Sequence, residues 1–149
     1  MSVTSLLIFD LERLPTFDAV RAEAGRSGEM IDLFDPVDLT SHSGYLPVRV
    51  ANRETGFEYY LEPLVADDLP PDTAQFGSHS IITSTGSSFE EGRAALLFLK
   101  VAARLTGGAY AYPDGCIVIP PDQVAIYLEA QIAEYGAEIE KRLARGKKP

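Results

Sequence analysis

An α+β fold is what this chain predicts: a two-layer sandwich in which a mainly antiparallel sheet carries its helices on one face, as a single domain over residues 1–149. Three observations predict it. The stretch Gly86–Gly108, GSSFEEGRAALLFLKVAARLTGG, has the start and stop signals of a helix written into it. The β-rich runs come in pairs joined by short turns, which favours antiparallel neighbours. A second long helix near the C-terminal end has apolar residues stepping by three and four.

The elements follow in order. Ser5–Leu11, SLLIFDL, is a short apolar run bounded by polar residues and predicts a buried strand. Leu14-Pro15-Thr16 then opens a helix over Phe17–Ala24. Pro15 blocks strand continuation, Thr16 can cap, and Phe17, Val20 and Ala24 share one face. Gly25 and Gly28 end it. Glu29–Ser43 has an irregular pattern around Asp35-Pro36 and predicts a loop with room for a brief helical turn. Tyr45–Val50 and Phe57–Leu64 are alternating strands, and Ala51–Gly56, ANRETG, is the expected hairpin connection, closed by glycine. Val65–Phe76, with two prolines and three aspartates, predicts a surface loop. His79–Thr85, HSIITST, is β-branched at Ile81, Ile82, Thr83 and Thr85 and predicts another strand.

In the central helix, Ser88 with Glu91 three positions on has the form of a capping box. Ala95, Leu96, Leu99, Ala102, Ala103 and Leu105 give it a broad apolar face, and Gly107-Gly108 supply a left-handed stop. Ala109–Tyr112 and Cys116–Ile119 flank Pro113-Asp114-Gly115, a turn tripeptide that predicts a hairpin. Pro120-Pro121-Asp122 starts the last helix, with Asp122 as the expected cap. Its stripe is Val124, Leu128, Ile132, Tyr135, Ile139 and Leu143.

Composition narrows the function classes. With 46% hydrophobic and 23% charged residues the chain is an ordinary folded protein. No run approaches the roughly 18 apolar residues of a membrane span; the longest candidate, Ala94–Ala103, carries Lys100. Leu6–Phe9 lacks the basic residues that precede a secretory signal's apolar core. One cysteine, Cys116, excludes an internal disulfide, and two well-separated histidines, His42 and His79, make a zinc site unexpected. A cytoplasmic protein without cofactor or metal is the expectation. The net charge of −9 is unevenly placed: residues 1–75 hold 14 acids against 5 bases, whereas 76–149 hold 8 of each. Such an excess repels nucleic acid and either favours a basic protein partner or serves solubility. Lys141, Arg142, Arg145, Lys147 and Lys148 suit a helix C-terminus and a solvated tail.

Candidate chemistry is sparse. His79-Ser80 with Thr83, Ser84 and Thr85 puts a histidine near hydroxyls, and Gly86-Ser87-Ser88 could offer backbone donors to an oxyanion or a bound anion. Neither a G-x-S-x-G elbow nor a phosphate loop accompanies them. The structural alternative makes His79 a strand end and the serines caps. Glu90 and Glu91 form a carboxylate pair in the first helical turn, where the helix dipole alone favours acids. Asp67, Asp68 and Asp72 lack the glycine and distal glutamate of a calcium loop. Cys116 lies in an apolar strand with no basic neighbour and reads as an inert core thiol, and His42 has no obvious partner. Tyr110 and Tyr112 share one strand face, while Tyr59 and Tyr60 point to opposite faces.

From Gly77 to Ile119, the strand HSIITST, the Ala-rich helix RAALLFLKVAARL and the following TGGAYAYPDG resemble small bacterial immunity-type α/β proteins of toxin–immunity systems. Residues 1–75 lie outside that resemblance. The resemblance implies a protein without catalytic residues that occludes a toxin's active site or cleft. A non-enzymatic inhibitor with a protein partner, a basic toxin domain, is therefore the first expectation. Its docking surface would be Glu54, Glu58, Glu62, Asp67, Asp68 and Asp72, with Tyr59 and Tyr60 as aromatic anchors. The competing expectation is a small enzyme or ligand-binding domain around His79, Ser80 and the Gly86–Ser88 helix start; a scaffold subunit dimerising through the last helix is a third.

Overall fold

A computed structural model describes residues 2–65, 73–113 and 117–149. β1 (Val3–Phe9) runs through a 3-10 turn into α1 (Phe17–Arg26) and a two-residue strand, β2 (Ile31–Asp32). The hairpin β3 (Gly44–Val50) and β4 (Arg53–Pro63) follows, then β5 (His79–Thr85) and α2 (Phe89–Thr106). β6 (Ala109–Tyr112), β7 (Ile117–Ile119) and α3 (Val124–Ala144) complete the order. The described strands form one sheet, β2-β3-β4-β5-β1-β6-β7, with every neighbouring pair antiparallel. The α+β class and the antiparallel sheet are as the sequence predicts.

The layers follow from strand alternation. Leu46, Val48, Phe57, Tyr59, Ile81, Leu7 and Phe9 lie on one face of the sheet and pack with residues of all three α-helices in one core. Phe98 of α2 sits at its centre, 5.3 Å from the Phe57 ring and edge-on to Tyr59 at 6.0 Å. On the other face, Leu6, Ile8 and Ala111 make a smaller cluster with Leu64, Phe76 and Ile82, to which no α-helix contributes among the described residues. Helices thus cover one face, and the chain before and after residues 66–72 covers part of the other.

The caps explain where the helices stop. Thr16 Oγ1 accepts from Ala19 N at 3.1 Å, opening α1. Ser88 Oγ accepts from Glu91 N at 3.4 Å, while the Glu91 carboxylate reaches back to Gly86 N at 3.1 Å, two residues beyond its place in a capping box. Gly107, at φ +68°, ends α2 in the left-handed conformation. Ala94 to Ala102 are buried without a break, because α2 lies between the sheet, α1 and α3.

Three local expectations are corrected. Glu29–Ser43 contains an edge strand, β2, paired through Ile31 with Val50 and Asp32 with Arg49. The β3–β4 connection is only Ala51-Asn52, both left-handed at φ 52° and 66°, a two-residue hairpin turn. Arg53 to Gly56 belong to β4, held by the cross-strand pair Arg49–Glu54 and by Gly56 opposite Pro47. Asp122 does not cap α3: it lies in a 3-10 turn, Pro121–Gln123, and Gln123 at the cap position makes no side-chain bond. Asp114, Gly115 and Cys116 lie outside the described residues.

Candidate functional site

Alternation along β4 sorts its predicted site residues. Glu54, Glu58, Tyr60 and Glu62 occupy the face turned away from the helices, whereas Phe57 and Tyr59 enter the core. Tyr59 is fully buried and donates its hydroxyl to Leu39 O at 2.7 Å. It cannot touch a partner, which corrects its expected role as an anchor. Asp67, Asp68 and Asp72 lie outside the described residues.

Three acids and a tyrosine therefore share one outer strand face. At about 3.3 Å per residue, Glu54 and Glu62 stand roughly 26 Å apart, with Glu58 midway. Arg49 partly answers the first of them: it contacts Glu54 at 3.3 Å and Asp32 at 3.7 Å, and lies 4.0 Å from the centre of the Phe34 ring. Glu58 accepts from the Tyr60 hydroxyl at 2.9 Å. That bond raises the Tyr60 phenol above its ordinary pKa, helped by burial and by the charges of Glu58 and Glu62.

Sequence reasoning missed a neighbour on this face. Tyr45, opposite Glu58 on β3, is 53% exposed, and its ring lies across Gly56 of β4. A Cβ at residue 56 would stand 2.5 Å from that ring and 2.6 Å from Leu46 O, so the ring's position requires glycine there. Burial, then the charges of Glu91 and Glu54, push the Tyr45 phenol upward. The spacing Tyr45-x-Pro47-x-Arg49 is a period-two signal that could have placed it on the outer face.

The competing site does not assemble as one: Ser87 and Ser88 line a cleft with Arg53, Glu90 and Arg142, and His79 is not part of it. His79 begins β5 and Gly86–Ser88 follow its end, so the strand holds them about 20 Å apart. His79 Nδ1 pairs with Ser78 Oγ at 2.9 Å, and Ser88 Oγ is engaged as the α2 cap. The first-turn acids also have separate structural partners, Glu90 with Arg53 and Glu91 with Gly86 N. His42 has a partner too, its Nε2 lying 3.0 Å from Tyr45 O. Among the described residues no three His, Cys, Asp or Glu side chains gather where they could hold a metal ion. No family model, curated protein or solved structure matches this chain.

On the helix side, a cavity of about 210 Å³ lies between the sheet, α2 and α3. Tyr110 and Tyr112 of β6 and Tyr127 and Tyr135 of α3 line it, together with core-facing Ser5, Thr83 and Thr85. The α3 residues Tyr127, Gln131 and Tyr135 recur every fourth position, a polar row that shares Tyr135 with the apolar stripe of the helix. Among the described residues, no α-helix is long and apolar enough to cross a membrane.

Proposed function

We propose that this chain is a non-enzymatic binding protein that docks a basic protein partner on the outer face of β3 and β4. The observation that carries the reading is the shared solvent-side placement of Glu54, Glu58, Tyr60 and Glu62, flanked by exposed Tyr45. A row of carboxylates attracts a cationic partner over several ångströms and speeds encounter, while aromatic rings supply contact area once water is expelled. Tyr60 held by Glu58 and Tyr45 seated over Gly56 are partly ordered in advance, which lowers the entropy cost of docking. The resemblance of residues 77–119 to immunity-type proteins makes a secreted or contact-delivered toxin domain the partner class to look for, and inhibition by occlusion the mode of action.

The test uses the full chain as bait in a lysate of its native host, beside the double variant Glu58→Lys/Glu62→Lys. The captured protein is then titrated at two salt concentrations. A basic partner whose affinity falls about tenfold or more on charge reversal, and also falls with salt, is the expected result. Equal capture by both baits, with binding indifferent to salt, would remove this face from consideration.

A further inference from the structure

The tyrosine-lined cavity opens to solvent past half-buried Tyr112, Tyr127, Gln131 and Tyr135, so a small molecule can reach it. Where core-facing strand positions only need filling, Val serves in place of Thr without a buried hydroxyl to satisfy. Yet β1 and β5, apolar at Leu7 and Ile81, turn to Ser5, Thr83 and Thr85 on the same face where the cavity opens. Three adjacent hydroxyls in a helix-covered layer give the cavity a polar floor where apolar side chains would have filled the space as well.

Some of the wall is already paired. Ser5 Oγ and the Tyr110 hydroxyl lie 2.9 Å apart, and Thr83 Oγ1 donates to Ser5 O at 3.3 Å. The hydroxyls of Tyr112, Tyr127 and Tyr135 and the Gln131 amide have no hydrogen-bond partner among the described residues, and all four side chains are half-buried at the rim. Among the described residues they are donors and acceptors without a protein partner, all lining one space. Burial keeps Tyr110 protonated, its phenol pushed up to about 12 despite the Ser5 bond, and the nearby phenols of Tyr127, Tyr135 and Tyr112 add to that rise.

Shape and charge specify the occupant. The Tyr110 and Tyr127 rings, 5.6 Å apart and inclined at 39°, supply aromatic walls. Gly92 and Ala95 of α2 keep one side of the cavity low; at Gly92 a Cβ would stand 2.9 Å from the Tyr135 ring. No Asp, Glu, Lys, Arg or His stands among the lining residues described. A charged ligand would therefore lose its water without meeting a counter-charge. The volume of about 210 Å³ exceeds the roughly 150 Å³ of an apolar cavity that accepts benzene, leaving room for one ring with polar substituents.

We infer that this cavity is a binding site for a small uncharged molecule of one substituted ring, oriented by the hydroxyls of Tyr112, Tyr127 and Tyr135 and the Gln131 amide. The site lies on the opposite side of the sheet from the proposed docking face and does not depend on it.

Amide NMR titration of the full chain tests this directly. Phenol and benzamide serve as neutral probes, with benzoate and benzyltrimethylammonium as charged probes of like ring size. Saturable shifts confined to the lining segments of β1, β5, β6, β7 and α3 and the facing end of α2 are expected from the neutral probes, with affinity at least about tenfold weaker for the charged ones. The double variant Tyr127→Phe/Tyr135→Phe keeps both rings, so it should fold with unchanged dispersion of its spectrum and bind benzamide about three- to tenfold more weakly. Gln131→Leu, a rim change, should weaken benzamide in the same way. The inference is overturned if neither neutral probe gives saturable shifts up to its solubility, or if the shifts map elsewhere. It is equally overturned if the Phe variant binds as well as the parent, or if a charged probe binds most tightly. No protein partner enters the titration, so its outcome is separate from that of the docking test.

Discussion

Lys100 is the residue least expected from its surroundings, a charge within the long apolar run of α2. It is 6% exposed, and its ammonium lies 2.9 Å from Glu29 and 3.1 Å from Glu129. Arg104 adds a second cation to Glu29 at 2.7 Å. Burial pushes the Glu29 carboxyl upward, but hydrogen bonds and charge from Lys100 and Arg104 outweigh it and hold its pKa below the usual value. A carboxyl lowered in the folded state contributes stability above its unfolded pKa of about 4.3, and that contribution fades as pH falls through the folded value. Glu29→Gln should cost about 2–3 kcal/mol at neutral pH, because Lys100 would keep only the largely exposed Glu129. The gap between the two proteins should narrow on acidification below about pH 4, as paired urea melts would record. A gap that stays constant with pH would dismiss the ion cluster as its source. Tyr59 offers a second check at this scale. Tyr59→Phe strands the buried Leu39 carbonyl and should cost about 1–2 kcal/mol in the same melts while leaving partner capture intact.

At the scale of elements, local rules account for much of what is seen. Thr16, Ser88 and Gly107 act at the ends of α1 and α2 as their letters indicate, since a cap interacts with residues only three or four positions away. The misreadings fall where longer-range pairing decides. ANRETG looks like a connection by composition, yet Arg53, Glu54 and Thr55 are drawn into β4 by a ladder with Val50, Arg49 and Val48. β2 is two residues long and exists only because β3 offers it an edge. The turn itself carries strain that can be relieved. Ala51 sits at φ 52°, where a Cβ crowds the backbone, so Ala51→Gly should raise stability by up to about 1 kcal/mol, read as an increase in Tm. A decrease in Tm would mean that the added freedom of glycine in the unfolded chain outweighs the relieved strain.

For the whole molecule, the charge asymmetry has structural meaning only in part. Of the first-half acids, Asp18, Glu23, Glu29, Asp32 and Glu54 are committed to ion pairs within the chain. Glu58 and Glu62 have no ion-pair partner among the described residues, which is why they bear the charge-reversal test. The basic C-terminal residues are also not merely a solvated tail. Arg142 lies over Phe89, and with Arg53 and Lys148 it lines a cleft at the start of α2, where Pro149 O accepts from Phe89 N at 3.0 Å. Whole-chain charge counts could not separate neutralised acids from free ones, because pairing depends on distances between remote segments.

Read alone, the amino-acid order settles the α+β class, the succession of helices and strands and most helix ends, since those respond to neighbours within one turn or to a period of two or 3.6. It also establishes that β4 alternates, so that Tyr59 and Tyr60 must part company. Which of them meets solvent, that Lys100 finds Glu29 from 71 residues away, and that β1, β5, β6 and α3 enclose a hydroxyl-lined space emerge only once the chain is folded. Each of these depends on which distant segments the sheet order makes neighbours, and no local pattern of side chains encodes that order.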